Sequence, residues 1–329
     1  MPKILVTGAA GYIGSHACLA LARSGYEVVG LDNLSTGRAE MLLPPARLLL
    51  GELSDAAFVS ETLLREAPDG ILHFAASIAV PESVRDPLKY YGNNVCTTAT
   101  LVQAAVRAGV PRFVFSSSAA VYGVSQTPTV TEQSPAVPIN PYGRSKLACE
   151  WILQDAAAAH PGLRYASLRY FNVAGADPGG LLGNTAPDAT HLIKLACLAA
   201  LGERDMLQIY GDDYPTPDGT CVRDYVHVSD LAEVHVAMLR HLEGGGLGGV
   251  YNCGYGRGFS VRQIVETVRR VSGVDFAVEV VDRRPGDPPS LVADASKLVS
   301  TTGWTPRCDD IEQIVADALR WERTLLARS

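Results

Sequence analysis

The sequence has few of the features that indicate metal sites, disulfide frameworks or membrane spans. Its 7 cysteines are scattered and none forms a Cys-x-x-Cys pair, so neither a zinc site nor a disulfide framework is predicted. The 7 histidines show no metal-ligand spacing. No uninterrupted apolar run reaches the length of a bilayer, since Lys194 interrupts residues 192–201. We therefore predict a protein without a bound metal and without a membrane span.

Charge and the start of the chain restrict the possible partners further. An apolar strand begins by Ile4 with no signal peptide before it, so we expect a protein of the reducing cytoplasm. The formal net charge is −7 and no basic stripe is present, which argues against nucleic acid as a partner. An anionic ligand would have to be bound by single, local arginines.

The first 32 residues have the pattern of a dinucleotide-binding unit. The apolar strand Lys3–Thr7 leads into a turn with Gly8, Gly11 and Gly14, then a helix, then a strand that ends on Asp32. In such a unit the pyrophosphate lies at the helix N-terminus and the acid binds the adenosine ribose. Asp32 would repel a 2′-phosphate, so the predicted cofactor is NAD and not NADP.

The alternation of strands and helices continues to about residue 172, which predicts a doubly wound, Rossmann-like parallel α/β sheet. Beyond Asn172 the chain becomes richer in Gly and Pro, with shorter helices. We predict an NAD-binding domain over 1–172, to which a segment of about 221–250 returns, and a smaller substrate-binding α/β domain over 173–329. The further predicted strands are 47–50, 70–74, 112–116, 163–168 and 278–281, and the predicted helices are 57–66, 93–108, 140–159, 230–242, 261–271 and 309–323.

A helix start at Asn140 carries the candidate catalytic pair. Asn140 is a preferred N-cap and Pro141 suits the first helical position. Tyr142 then lies in the first turn, and Lys146 follows one turn later on the same face. A phenolate near pH 7 needs roughly 4 kcal/mol of stabilisation. An ammonium about 5 Å away supplies on the order of 3 kcal/mol at an effective dielectric constant of ~20.

This pattern predicts that Lys146 lowers the pKa of Tyr142 and makes it a general base. A tyrosine and a solvated lysine on a surface helix would share the same spacing, which arises by chance roughly once in five such chains. The motifs elsewhere in the chain therefore have to support the assignment.

Those motifs together resemble the extended short-chain dehydrogenase/reductases. Two motifs in the second half of the chain narrow the resemblance to the UDP-glucose 4-epimerases. The resemblance covers the whole chain. The first set is Gly8-x-x-Gly11-x-x-Gly14, Asp32-Asn33, His73-Phe74-Ala75-Ala76, Asn93-Asn94, Ser116-Ser117-Ser118, Tyr142-x-x-x-Lys146 and Tyr170-Phe171-Asn172. The second is Asp213-Tyr214-Pro215-Thr216-x-Asp218-Gly219-Thr220-x-Val222-Arg223-Asp224-Tyr225-x-His227-Val228 with Arg283-Arg284-x-Gly286-Asp287.

The resemblance implies an isomerase with tightly held NAD that inverts C4 of a UDP-hexose through a transient 4-keto sugar. Tyr142 would act as base and then acid, Lys146 would hold the nicotinamide ribose, and Ser118 would bind the reacting oxygen. UDP-pentoses or UDP-N-acetylhexosamines remain alternative substrates. A homodimer through helices 93–108 and 145–159 is also implied, with Val95, Leu101, Val102, Leu147, Trp151 and Ile152 as its apolar residues.

The same resemblance implies the binding residues. The cofactor would contact Gly8, Gly11, Tyr12, Ile13, Gly14, Asp32, Asn33, Leu34, Ser35, Thr36, Gly37, Glu52, Leu53, Phe74, Ala75, Ala76, Asn93, Ser116, Tyr142, Lys146, Tyr170 and Phe171. The UDP-sugar would contact Ser118, Tyr142, Asn172, His191, Arg223, Arg284, Asp287 and Leu291.

Three of the positions depart from the commonest family pattern, namely Ile78, Glu52 and His191. Ile78 replaces a lysine near the cofactor phosphates. Leu291 occupies the position beside the sugar 2-substituent, where its intermediate size predicts a preference for UDP-glucose and UDP-galactose over N-acetyl sugars.

Two other functions fit the fold less well. A 4,6-dehydratase needs an acid pair directly after the catalytic serine or threonine, and here Ala119 and Ala120 occupy those positions. A nucleotide-sensing regulator of this fold typically lacks the tyrosine or the lysine, and both Tyr142 and Lys146 are present.

Overall fold

The computed structural model describes residues 1–125, 127, 129–186, 190–284 and 287–327. Its strands are β1 (Lys3–Thr7), β2 (Glu27–Asp32), β3 (Arg47–Leu50), β4 (Gly70–His73), β5 (Arg112–Ser118), β6 (Thr129–Val130), β7 (Arg164–Tyr170), β8 (Asn172–Ala174), β9 (Leu207–Tyr210), β10 (Val222–His227), β11 (Gly249–Cys253), β12 (Gly258–Ser260), β13 (Val278–Val281) and β14 (Ser290–Ala293). Its α-helices are α1 (Tyr12–Arg23), α2 (Ala56–Glu66), α3 (Val80–Arg85), α4 (Pro87–Tyr90), α5 (Thr97–Arg107), α6 (Pro141–Ala159), α7 (Leu192–Ala200), α8 (Val228–Glu243), α9 (Val261–Ser272), α10 (Ser296–Thr302) and α11 (Ile311–Leu326).

Within these residues, the main sheet has seven parallel strands in the order β11-β7-β5-β4-β1-β2-β3. The predicted Rossmann-like class is therefore confirmed. The sequence missed the edge strand β11, which pairs with β7 from Gly249 to Cys253. Its mixed sequence, Gly-Val-Tyr-Asn-Cys, has no clear alternation of apolar and polar residues. The strand therefore forms because β7 offers it a sheet edge to pair with.

Alternating strand residues build a core on each face of the sheet. Ile4 and Val6 point toward α1 and α8, while Leu5 points toward α2, α5 and α6. All three of these strand side chains are essentially inaccessible to water, and each fully buried aliphatic side chain stabilises the fold by about 1.5–3 kcal/mol. The result is a three-layer arrangement that leaves the carboxyl ends of the strands along one edge.

The second half of the chain forms smaller sheets. Strand β10 lies at their centre, between β12 and β14, and also pairs with β8. A separate pair joins β9 to β13, and α7, α9 and α11 share an apolar cluster. The two-domain division at residue 172 stays a prediction. Observations that bear on it are the packing of α8 against the main sheet and the pairing of β11 within it.

The segment before α5 differs from the expected helix 93–108. Residues Tyr91–Cys96 form a π-helical stretch, and the α-helix proper begins at Thr97. Asn94 explains the difference, because its buried side chain accepts from Ser77 N at 2.8 Å and donates to Ser77 O and to Ser145 Oγ at 3.0 Å. Such a wide turn is often found at functional sites. Within the described part of the chain, no helix is both long and apolar enough to span a bilayer.

Candidate functional site

The glycine turn after β1 is too crowded for side chains. A Cβ at Gly14 would lie 2.0 Å from Gly8 O, and one at Gly8 would lie 2.7 Å from Ala75 N. Gly8 also has a φ of 68°, which disfavours other residues. Gly11 precedes the first residue of α1 without a side-chain cap, so backbone N–H groups are directed outward from the helix start. This is the cradle that a pyrophosphate fits.

Asp32 ends β2 beside this turn and holds its loops together. One carboxylate oxygen accepts a hydrogen bond from Ala10 N at 2.9 Å and the other from Leu34 N at 2.8 Å. Beyond it, Asn33 donates to both oxygens of Glu52 at 3.1 and 3.2 Å. The Asp32 carboxylate therefore has a structural role that the sequence did not reveal, in addition to its predicted ribose contact. The other predicted cofactor positions here follow β2, β3 or β4, namely Ser35, Thr36, Gly37, Leu53, Ala75 and Ala76.

Three predicted cofactor residues, Tyr12, Phe74 and Asn93, have specific partners in the protein. The Tyr12 hydroxyl donates to Gly175 O at 2.7 Å, so its side chain is bound to the loop after β8. Phe74 packs against the ring of His235, with centroids 4.6 Å apart. Ile13 in α1 is partly buried against the core. Asn93 donates to Ser77 Oγ at 2.9 Å.

The helix that carries the candidate catalytic pair begins as the sequence predicts. Asn140 Oδ1 accepts from Gly143 N at 2.9 Å, and Pro141 is the first helical residue. Tyr142 is 9% exposed, and the Ser118 side chain lies close enough to the phenol to influence its pKa. Lys146 is 2% exposed, and its Nζ donates to Ser116 O at 2.8 Å. The structure therefore brings Tyr142, Lys146 and Ser118 together where β5 ends.

The pKa of Tyr142 departs from the sequence-based expectation. Burial raises the pKa of the phenol, and the neighbouring Ser118 hydroxyl opposes that rise. Burial also lowers the pKa of the Lys146 ammonium to about 8, against the influence of Cys149 and Glu150. For the chain itself, the phenol pKa is thus raised and not lowered, because desolvation dominates and the ammonium donates to a carbonyl. A lowered pKa in the complex with NAD stays a prediction.

Ser116, Tyr170 and Phe171 extend the site along the strand ends. Ser116 Oγ is hydrogen-bonded to the Tyr170 hydroxyl, which links β5 to β7. Phe171 is buried and belongs to an apolar cluster with Ala119 and Leu291. The predicted specificity residue Leu291 therefore packs in the same cluster as the turn that follows Ser118.

Strand β10 and its neighbours gather four of the eight predicted substrate residues. Arg223 on β10 is in register with Leu291 on β14, and its Nη2 lies 3.5 Å from Asp287 Oδ1. Asn172 on β8 pairs with the same strand. The Arg284 guanidinium lies 4.0 Å from the centroid of the Tyr210 ring. Gly286 of the corresponding motif lies outside the described residues.

His191 is the predicted substrate residue with the least obvious contacts. It precedes α7, and its buried Nδ1 has no hydrogen-bond partner among the described residues. The ring lines a cavity of about 20 Å³ with Tyr12, Asn184, Lys194 and Glu322. Burial and the nearby Lys194 ammonium lower the pKa of His191. The imidazole is therefore neutral at pH 7 and able to hydrogen-bond without adding charge.

Sequence reasoning missed a buried polar network directly behind the catalytic residues. It consists of Glu150, Arg169 and Ser117. It also missed Asp224, whose inaccessible carboxylate accepts hydrogen bonds from the backbone of residues 255, 256 and 293. These helices and strands contain other polar and charged residues as well, so no signal in the sequence singled these residues out.

Comparison with known proteins agrees with this geometry. Residues 4–254 match the model of the NAD dependent epimerase/dehydratase family. The chain belongs to that family. It is 53% identical to the UDP-glucose 4-epimerase of Azospirillum brasilense over 324 residues, which cover 98% of this chain and 93% of the relative.

Two solved structures extend the comparison. UDP-glucose 4-epimerase from Brucella ovis in complex with NAD has 45% identity and a TM-score of 0.93, covering 97% of this chain and 98% of that chain. The UDP-Glc/GlcNAc 4-epimerase of Campylobacter jejuni has 48% identity and a TM-score of 0.87, covering 98% of this chain and 100% of that chain. The family thus includes members with different sugar ranges.

Proposed function

We propose that this protein interconverts UDP-glucose and UDP-galactose by NAD-dependent inversion at C4 of the hexose. The observation that carries the proposal is that Tyr142 and Ser118 lie together at the end of β5, with the Lys146 ammonium held one turn along α6. The crowded glycine turn supports NAD as cofactor. The names of the similar proteins support the same substrate pair.

In the proposed reaction Tyr142 is the proton carrier. Its phenolate takes the proton of the sugar 4-hydroxyl, and the phenol returns a proton after the 4-keto sugar has presented its other face. Ser118 donates to the phenolate and favours that form. Lys146 contributes positive charge to the same buried space. When bound, NAD supplies the reversible hydride acceptor at C4.

Substrate binding in this proposal depends on β10 and its neighbours. Arg223 and Arg284 would bind the diphosphate, since guanidinium groups suit phosphate oxygens. Asp287 would bind the uridine ribose, and Asn172 and His191 would complete the polar contacts. The Arg223–Asp287 distance of 3.5 Å supports both in one site.

The turn after Ser118 argues against elimination chemistry. Ala119 is buried, and Ala120 N donates to Ser118 Oγ at 3.2 Å. Neither residue has a side chain that could transfer a proton to a leaving 6-hydroxyl. The protein therefore fits 4-epimerisation better than 4,6-dehydration. The range of sugars stays open, because the Campylobacter jejuni relative is named for two.

The test is turnover by purified protein without any added oxidant or reductant. UDP-galactose should convert to UDP-glucose, followed by NMR of the anomeric protons, and denatured protein should release NAD or NADH. Accumulation of NADH in proportion to added NAD⁺ would show a dehydrogenase instead. Binding of the nucleotide sugar without turnover would show a sensor.

We also propose a cytoplasmic homodimer through the helices on the α6 side of the sheet. All 7 cysteines are free, as expected for a reducing compartment. Of the predicted interface residues, Leu101, Val102 and Leu147 are buried within the chain itself. Trp151 is 57% exposed and Leu88 is 79% exposed, so these two offer apolar surface to a partner.

The homodimer is tested by light scattering at micromolar concentration. We expect twice the mass of one 35.0 kDa chain. Trp151→Glu should shift the equilibrium toward monomer, because an apolar contact would become a buried charge. Substituting the exposed Leu247, which lies in the loop between α8 and β11, gives the matched control. A monomeric unmodified protein would refute the proposal.

A further inference from the structure

A buried ion pair lies directly behind the proposed catalytic residues. Glu150 accepts from Arg169 twice, with Nε to Oε1 at 2.9 Å and Nη2 to Oε2 at 2.6 Å. Ser117 Oγ donates to the same Oε1 at 2.5 Å. The two charged side chains are only 4% and 6% exposed. Such a bidentate pair fixes both distance and orientation.

Each member of this network is next to a residue of the proposed site. Glu150 follows Lys146 by one helical turn on α6. Ser117 lies between Ser116, whose carbonyl accepts from Lys146, and Ser118, whose side chain lies beside the Tyr142 phenol.

The remaining member, Arg169, precedes Tyr170, whose hydroxyl is bonded to Ser116. The network therefore joins α6, β5 and β7 at the positions where these elements enter the site.

Stability alone explains the pair poorly. Removing two charges from water is costly, and apolar residues of similar volume often stabilise a fold as well as a buried ion pair does. Apolar residues are nondirectional, however, and would not set the rotation of α6 against the strands. The directional bonds at this junction are therefore better explained by a need to place the site residues accurately than by a need for fold stability.

We propose that the Glu150–Arg169 pair, with Ser117, positions Tyr142, Lys146 and Ser118 for proton transfer. Glu150 acts through the other groups and touches neither substrate nor cofactor. The kinetic test of this inference rests on the proposed epimerase activity. A second consequence does not depend on that activity, namely that the Glu150 carboxylate raises the pKa of Lys146.

Groups from three elements surround the Lys146 ammonium. On its own helix these are Cys149 and Glu150, and from β5 they are the Ser116 carbonyl and the Phe115 ring, 4.8 Å from Nζ. From β4, His73 lies near enough for the Lys146 charge to lower its pKa further, so it is neutral. Glu150 is then the fixed negative charge among these groups, since burial keeps the thiol of Cys149 protonated.

Glu150→Gln and the double variant Glu150→Met/Arg169→Met test the proposal. The double variant removes both charges together, so no unpaired charge remains in the core. We expect it to keep its urea midpoint and its NAD content but to lose about 10- to 100-fold in kcat, the loss typical of small misplacement. Its KM for UDP-galactose should change by less than about threefold.

Glu66→Gln is the matched control. Glu66 is also a buried carboxylate, 7% exposed, and binds Arg47 at 2.5 Å and Arg65 at 3.0 Å. It lies at the amino ends of β1 and β3, opposite the proposed site. This variant should lose stability while keeping kcat. Equal kinetic losses at Glu66 and Glu150 would overturn the positioning role.

The second measurement needs neither turnover nor the double variant. The chain has 5 lysines, so ¹³C-labelled lysine NMR should resolve Lys146. We expect Glu150→Gln to lower the Lys146 pKa by about one unit, because a nearby negative charge is lost. An unchanged Lys146 pKa would overturn the inference. Absence of UDP-galactose turnover in unmodified protein would refute only the proposed function.

Discussion

Replacing Ser118 with alanine removes a side chain that favours ionisation of Tyr142. Burial raises the phenol pKa, and the Ser118 hydroxyl opposes that rise. A hydrogen bond to a charged group contributes about 1.5–3 kcal/mol. Because one pKa unit corresponds to about 1.36 kcal/mol, the pKa of Tyr142 should rise by roughly 1–2 units in Ser118→Ala.

The sign of the kinetic effect follows from this shift. Tyr142 must be deprotonated to act as a base, so activity rises as pH passes upward through its pKa. In Ser118→Ala the acid limb of kcat/KM should therefore move up by about 1–2 pH units, and kcat near neutral pH should fall about 10- to 150-fold. Ser118→Thr keeps a hydroxyl, so the acid limb of its kcat/KM profile should lie at the same pH as in the unmodified protein.

A second contact of Ser118 has to be separated from the first. Its Oγ also accepts from Ala120 N at 3.2 Å, so the alanine variant loses a bond within the turn as well. That loss should cost about 0.5–1.5 kcal/mol of unfolding free energy, measured independently in urea. An acid limb that stays in place while kcat falls would refute the argument that Ser118 acts through the phenolate.

Two further variants test the site. Tyr142→Phe should lower turnover by about 10²–10⁴-fold while fold and NAD content persist, because only one oxygen is lost. Near-normal activity in this variant would show that another group is the base. Leu291→Ser should raise turnover of UDP-N-acetylgalactosamine roughly 5- to 150-fold relative to UDP-galactose, because it removes an overpacking cost of about 1–3 kcal/mol. Equal specificity constants for both sugars in unmodified protein would show that Leu291 does not restrict the size of the sugar 2-substituent.

The first half of the fold was predictable because its signals are local. The run Lys3–Thr7, the glycine turn and the cap at Asn140 each depend on residues close in sequence. Strand β10 was missed for the opposite reason. It contains Arg223, Asp224 and His227, and these polar residues are tolerated in a central strand because of distant partners, such as the backbone of residues 255 and 256 that binds the Asp224 carboxylate.

The site shows the same division between local and distant information. Spacing correctly placed Lys146 on the Tyr142 face of α6, but it carried no information about the Ser116 carbonyl that receives the ammonium. The arithmetic for the phenol counted favourable charges and omitted the cost of burial. That cost depends on the complete packing around Tyr142, so a sequence pattern has no means of supplying it.

The close approach of α6 to the turn after β5 explains how a helix start can carry this chemistry. A Cβ at Gly143 would lie 2.5 Å from Ala120 O, so only glycine lets the first turn of α6 come this near. The neighbouring Tyr142 then reaches Ser118. Further along, the buried face of α6 includes Ser145, Lys146 and Glu150. Each of these makes a directional bond to another part of the chain or to Tyr142 O. A face held by such bonds tolerates less rotation than an apolar stripe, and accurate proton transfer requires that restriction.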